Sequence, residues 1–186
     1  VDKKEKILIA ASKVFRKYGL NKTKLTDIGK ESGYNSSSLY YYFDNKEDLL
    51  QQMVLYDMEK IKRSLVESLE DSNNLKEGLK KYLITRVEEM DIIKHYEEIL
   101  HNSVISPPLR LFLINVEKEL RAFEHDILQN FVLKNSKKYA NNAAVIVTIL
   151  QGVSMKLTIS RSLDREGMAR IGEKIGEVLD YLLPDS

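Results

Sequence analysis

Between Asn35 and Phe43 the chain reads Asn-Ser-Ser-Ser-Leu-Tyr-Tyr-Tyr-Phe, a run of small hydrogen-bonding side chains followed by consecutive phenols. Asn35, Ser36, Ser37 and Ser38 are placed to open a helix, where unpaired backbone N–H groups and the helix dipole attract phosphate. Tyr40, Tyr41 and Tyr42 follow one another at about 100° around a helix, so they cannot all point inward. At least one must present its hydroxyl outward, where it can bond a phosphate or touch a thymine methyl. Lys46 adds a cation beside the same edge. Taken singly, a serine here would only cap the helix and a tyrosine would only pack half-buried. The whole set on one short helix points instead to chemistry on a nucleic-acid backbone and its base edges.

The elements that must position these groups are also legible. Leu25–Ser32 forms a short helix, Gly33 supplies a positive φ without a Cβ penalty, and Ser36–Phe43 forms a second helix. Ile28, Leu39 and Phe43 are spaced to share a core with Val14 and Phe15. Those two belong to an earlier helix whose stripe is Ile7, Ala11, Val14 and Tyr18, ended by Gly19. Asn45 to Asp48 resembles a capping box that starts a long helix with the apolar row Leu49, Met53, Met58, Ile61, Leu65 and Leu69. A second box, Asn74 to Glu77, starts a helix carrying Leu75, Leu79, Leu83, Val87, Met90, Ile93, Tyr96 and Leu100.

Ser106-Pro107-Pro108 breaks that run and begins the next helix, since Ser caps and Pro tolerates the first turn. This one is expected to bury Leu109, Phe112, Val116, Leu120, Phe123, Ile127 and Phe131. After the polar stretch 134–138, the segment Asn142–Leu163 is apolar nearly all round, and Asp164 is expected to cap a last helix ending at Pro184. The expectation is an all-α chain of about nine helices. Residues 1–46 form a helix-turn-helix domain, and residues 47–186 an antiparallel bundle for ligand binding and dimerisation.

Composition narrows the partners. Of 29 Lys/Arg and 28 Asp/Glu, ten and five fall within residues 1–46, so a segment of net +5 sits on a body of net −4. That asymmetry suits a polyanion-binding module on a near-neutral carrier, although it also arises in Lys-rich proteins generally. With no cysteine, disulfides, thiolate metal sites and cysteine nucleophiles are excluded, and a reducing compartment is suited. No apolar core follows Val1-Asp2-Lys3-Lys4, so no signal peptide is expected; without an initiator Met, a few residues are expected to precede Val1. The most apolar stretch, 143–150, falls short of a membrane span, and a soluble, cytoplasmic protein is expected. Phosphate-loop, nucleophile-elbow, dinucleotide and HExxH motifs are missing from the sequence, and adjacent carboxylates such as Glu88-Glu89 suit solvated helix faces. No enzyme is expected, no cofactor is implied, and His95 and His101, six apart, do not share a chelating face, so no metal site is expected.

Residues 5–55 resemble the N-terminal domain of the TetR/AcrR family of regulators. The matching elements are Phe15-Arg16-Lys17-Tyr18-Gly19, Thr23, Asp27-Ile28, Ser32-Gly33, Leu39-Tyr40-Tyr41-Tyr42-Phe43 and Asn45-Lys46-Glu47-Asp48-Leu49-Leu50. The resemblance implies that Ser36, Ser37, Tyr40 and Tyr41 lie nearest the major groove. It puts Thr23, Ser38, Tyr42 and Lys46 on phosphates, with Thr26 able to reach either. Two residues depart from the family pattern. Gly29 stands where Ala is usual and should loosen its helix slightly. Tyr34 replaces a small β-branched residue in the turn, where it could cover the core edge or reach the backbone.

A palindrome reader needs a two-fold dimer, and the last two helices are the candidates. Gly152 would let a helix approach closely, as would Gly172 and Gly176 on a face shared with Met168, Ile175 and Leu182. These residues could equally pack within one subunit; the resemblance favours a four-helix interface between two subunits. It also implies a small-molecule effector that releases double-stranded DNA. Tyr82, Arg86, His95, Tyr96, Phe112, Met155 and Ile159 combine apolar surface with polar handles suited to its pocket, and each is also a serviceable core residue. The leading expectation is a homodimeric, ligand-responsive repressor on a palindromic operator. The alternative is a constitutive DNA-binding dimer that acts as a scaffold or protein-docking factor without a ligand, and a helical-bundle enzyme is a distant third.

Overall fold

The computed structural model describes residues 2–72, 74–102, 104–157 and 165–184. Among these, nine α-helices follow in chain order. They are α1 (Lys3–Lys22), α2 (Leu25–Ser32), α3 (Ser36–Tyr42), α4 (Lys46–Glu70), α5 (Leu75–Glu88), α6 (Met90–Asn102), α7 (Pro107–Asn135), α8 (Ala143–Leu157) and α9 (Arg165–Leu182). A 3-10 turn at Ala140–Asn142 leads into α8. No helix among the described residues is long and apolar enough to cross a membrane.

Packing divides the chain into two compact units: Val1–Lys60 with Ile92–Lys118, and Ile61–Asp91 with Glu119–Ser186. The N-terminal helices therefore share their unit with the first part of α4, most of α6 and the first part of α7. In this first unit Ile7, Ala11, Val14, Phe15, Ile28, Leu39 and Phe43 form the buried core, joined by Leu49, Leu50, Met53 and Val54 of α4. One polar cluster sits inside it. Ser12 Oγ donates to Asp57 Oδ2 over 3.1 Å, and Tyr96 Oη donates to the same oxygen over 2.6 Å. Asp57 is buried, so these bonds replace the water its carboxylate has lost. Burial, with the Asp57 charge beside it, pushes the Tyr96 hydroxyl well above its ordinary pKa.

In the second unit Ile61, Leu65, Leu69, Leu79, Leu83, Val87, Leu120, Leu128, Val132, Leu150, Ile175 and Leu179 are buried. Here the inward row of α7 differs from the sequence expectation. Beyond Leu120 it advances by fours through Glu124, Leu128 and Val132, leaving Phe123, Ile127 and Phe131 half-buried. The same rotation is seen upstream, where Leu113 is buried and Phe112 half-buried, and beyond Leu120 the inward row includes Glu124, paired with Arg86 of α5, a charge at a position that an apolar pattern would skip. Burial raises the Glu124 pKa and the Arg86 guanidinium opposes that shift.

Three further elements differ from expectation. The single helix expected from residue 75 to residue 101 is two, with Glu89 at the joint and its N–H bonded to Thr85 O; neither Gly nor Pro marks the place. The Asn45 cap forms, accepting from Asp48 N at 2.9 Å, but Asp48 Oδ2 accepts in return from Asp44 N rather than from Asn45 N. The helix begun by Asn142 is one-sided, burying Ala143, Ile146, Val147, Leu150 and Ser154 while Val145, Ile149 and Gly152 are exposed. The Asp164 cap lies outside the described residues.

The turn between α2 and α3 depends on two glycines. Gly33 has φ 77° and ψ 17°, a left-handed conformation that L side chains rarely adopt. At Gly29 the need is for space, because a Cβ there would lie 2.6 Å from Tyr34 O. Tyr34 N donates to Gly29 O over 2.9 Å, so the turn folds directly back on α2. Helix propensity alone makes Gly29→Ala stabilising by about 1 kcal/mol, whereas forcing a methyl group against a carbonyl costs about 1–3 kcal/mol. The expected outcome in urea unfolding is a net loss of about 1 kcal/mol; a gain would show that the turn yields.

Candidate nucleic-acid interface

Seven-residue α3 is anchored by Leu39 and by Phe43 just beyond it, both buried. Its first turn is capped by Asn35, whose Oδ1 accepts from Ser38 N at 2.9 Å. With the anchors inward, the helix turns its tyrosines as expected: Tyr41 is 82% exposed and Tyr40 60%. Ser37 is also exposed, as is Thr26 in the first turn of α2. Tyr42 is half-buried, standing edge-on to Tyr41 with ring centroids 5.0 Å apart. Ser36 and Ser38 are half-buried too. A short helix with exposed hydroxyls and phenols, mounted on two others through a tight left-handed turn, can lie in a DNA groove and donate to phosphate and base edges.

The other two residues expected at the interface, Thr23 and Lys46, lie at the joint behind α3. Thr23 is buried and its Oγ1 donates to Gly19 O over 2.8 Å. Lys46 Nζ donates to Leu20 O over 2.8 Å and to Thr23 O over 3.3 Å, fastening the first turn of α4 to the end of α1. An ammonium carries three donors, so these two bonds leave one for a phosphate. Sequence reasoning passed over Lys3, whose Nζ lies 3.4 Å from Ser38 Oγ and 4.7 Å from the centre of the Tyr34 ring. The signal was present in the Lys3-Lys4 pair opening α1 and in the unusual Tyr34, but their proximity is tertiary.

The residues expected to line an effector pocket fall into both units. Tyr82 and Arg86 belong to the second, where Tyr82 is buried and its hydroxyl is pushed well above its ordinary pKa by burial and by Glu124. His95, Tyr96 and Phe112 belong to the first. Burial holds the His95 imidazole below its usual pKa, Arg16 adds to that, and Glu98 and Asp57 oppose it. His95 Nε2 is buried and finds no hydrogen-bond partner. Sequence reasoning missed Asp57 and Glu124, because a lone acidic residue on an apolar row looks like an ordinary interruption. The Met155 side chain and Ile159 lie outside the described residues. Two clefts of about 440 and 460 Å³ open on the second unit, one beside Lys76 and Tyr139, the other between Glu67 and Thr85; neither is lined by Tyr82 or Arg86.

Of the residues expected at a subunit interface, Gly152 is exposed, and a Cβ on either Gly152 or Gly172 would meet nothing within 4 Å. Gly176 faces only Lys80 Nζ, at 3.8 Å. Met168 and Leu182 are half-buried, whereas Ile175 is fully buried in its own unit. Among the described residues no cluster of His, Asp or Glu could hold a metal ion.

The fold is that of a helix-turn-helix protein with a helical regulatory domain. Residues 7–53 match the model of the bacterial regulatory proteins of the tetR family, and the chain belongs to the TetR/AcrR family of helix-turn-helix transcriptional regulators. It is a regulator of transcription and not an enzyme. It is 28% identical over 184 residues to the uncharacterised HTH-type transcriptional regulator YxaF of Bacillus subtilis strain 168, an alignment covering 94% of this chain and 93% of that one. Among solved structures, the transcriptional regulator FadR from Bacillus subtilis in complex with stearoyl-CoA superposes with a TM-score of 0.67 at 17% identity, over 94% of this chain and 96% of that one. AibR in complex with isovaleryl coenzyme A and operator DNA superposes with a TM-score of 0.65 at 18% identity, over all of both chains. At these identities the structural likeness is one of fold.

The two bonds from Lys46 yield a test that needs no DNA. Lys46→Ala should lower the unfolding free energy of the free protein by about 1–2 kcal/mol, since charged hydrogen bonds contribute on that scale. Denaturant unfolding without nucleic acid measures it, and an unchanged midpoint would reduce Lys46 to a surface cation.

Proposed function

We propose that this regulator grips a palindromic operator as a homodimer and lets go when a small molecule binds in the helical body of residues 47–186. Ser36, Ser37, Tyr40 and Tyr41 read the major groove in this proposal, Ser38, Tyr42 and Lys46 hold phosphates, and Thr26 reaches one or the other; Thr23, expected on a phosphate, is buried with its hydroxyl and N–H both on Gly19 O and instead supports the joint behind them. The observation that carries the DNA reading is the outward pair Tyr40 and Tyr41 on a helix whose inward pair, Leu39 and Phe43, is completely committed to the core. Tyr41 packs only edge-on to Tyr42, and both exposed phenols are left with most of their surface outward.

Dimerisation through α8 and α9 is supported by the open space at Gly152 and Gly172 and by Val145 and Ile149, which expose apolar surface on the same helix as Gly152. Met168, Gly176 and Leu182 would form the margin of that seam, with Ile175 supporting it from inside. An effector response is supported by the polar groups buried within otherwise apolar bundles, Tyr82 with Arg86 and Glu124 in one unit and His95 with Tyr96 in the other. The FadR and AibR structures hold acyl-CoA thioesters, and that class is the first to screen. The alternative, a DNA-binding dimer that works without a ligand, is favoured by one observation: neither described cleft touches the expected handles.

Retention of fragmented DNA from the source genome by wild type, Tyr40→Ala and Tyr41→Ala tests the interface. Wild type should retain specific fragments, and each variant should bind them about 10–100-fold more weakly, the scale on which a base contact discriminates. Equal retention by all three would make the tyrosines packing residues. Acyl-CoA thioesters of graded chain length, titrated into the complex, should weaken it about 5–150-fold if an effector of that class is coupled to DNA. Unchanged binding across the series and across cell-extract metabolites would favour the ligand-free dimer.

A further inference from the structure

Lys3, in the first turn of α1, reaches across to the helix that carries the tyrosines. Its Nζ donates to Ser38 Oγ over 3.4 Å, lies 4.7 Å from the centroid of the Tyr34 ring and 6.0 Å from that of Tyr42. Tyr34, Ser38 and Tyr42 follow at intervals of four, so they align along one edge of α3 and the turn before it, next to the row containing Ser37 and Tyr41. The ammonium is attracted by the negative faces of the two rings. Ser38 takes one of its three donors.

We propose that Lys3 is a further phosphate-binding residue of the DNA interface, and that Tyr34 is its positioning residue. Lys3 lies beside Ser38 and Tyr42, both assigned above to the sugar-phosphate backbone, and it brings a positive charge to that edge. A flexible lysine loses side-chain entropy on being ordered by DNA; one already held over an aromatic face has lost part of it beforehand. This gives the departure at Tyr34 a purpose, since a small β-branched side chain in the turn offers no ring for the cation. The assignment rests on the operator-binding reading above and extends it to the first turn of α1.

The test is the salt dependence of binding to a retained operator fragment, measured for wild type, Lys3→Met, Lys3→Arg, Tyr34→Val and Tyr34→Phe, with the thermal midpoint of each free protein. Removing one lysine–phosphate interaction should reduce the slope of log K against log salt by about 0.9, so Lys3→Met should lower it by about two for a dimer. Lys3→Arg should keep the slope. Tyr34→Val should weaken binding by about two- to five-fold per protomer, the worth of an exposed cation–π contact, while Tyr34→Phe keeps the ring and the affinity. A Lys3→Met slope equal to wild type would overturn the proposal, and a lowered midpoint with that slope intact would make Lys3 a clamp between α1 and α3. If wild type itself retains no specific fragment, the operator reading fails, and the Lys3 assignment with it.

Discussion

A helix of seven residues cannot stand in water by itself, because the cost of nucleating it exceeds what so few hydrogen bonds return. That constraint governs the first unit. α3 leaves most of its surface outward while being held by what remains, and what remains is Leu39, with Phe43 just past its end. Everything near it compensates for that economy. Asn35 caps the start, Gly33 turns the chain within a single residue, and Gly29 lets the turn lie against α2 so that no space is lost between the two helices. Ile28 and Phe15 then supply the floor onto which both anchors close.

The two units treat buried charge differently. In the first, Asp57 collects hydroxyl donors from Ser12 of α1 and Tyr96 of α6, so one carboxylate joins three helices through neutral donors. In the second, Glu124 meets Arg86 in an ion pair between α5 and α7. Either arrangement is expensive to leave half-made, so each fixes how its helices are rotated about their own axes. Apolar contacts alone permit sliding; a buried carboxylate with directed donors does not.

Much of the architecture was visible in the residue pattern. The order of the helices, the left-handed Gly33 and the rows from Leu49 to Leu69 and from Leu75 to Val87 all follow from periodicity, because large apolar residues at 3.6-residue spacing can be buried in only one way. The outward tyrosines were visible for the same reason in reverse: three consecutive phenols exceed what one face can hide. What could not be read depended on contacts across the chain. Glu124 interrupts an apolar row and made Phe123, Ile127 and Phe131 look like the inward set, since nothing near residue 124 reveals Arg86. The joint at Glu89 carries no breaking residue. Gly29 looks like a weakness in α2 unless the Tyr34 carbonyl beside it is known, and Ile175 shared a face with two glycines in projection but packs inward in the fold.

The attachment of α4 has a mechanical meaning. Its first turn is bonded through Lys46 to the carbonyls of Leu20 and Thr23, Glu47 accepts from the Ser106 hydroxyl at 2.6 Å, and further along the helix Asp57 holds Ser12. A connector fastened at one end only would behave as a loose tether, dissipating in its own bending whatever displacement reached it. With bonds spread along its length from Lys46 to Asp57, the first half of α4 and the three helices before it make up one stiff lever. A displacement of α4 would therefore be passed to α1, and through the core they share to α2 and α3, rather than absorbed at the join.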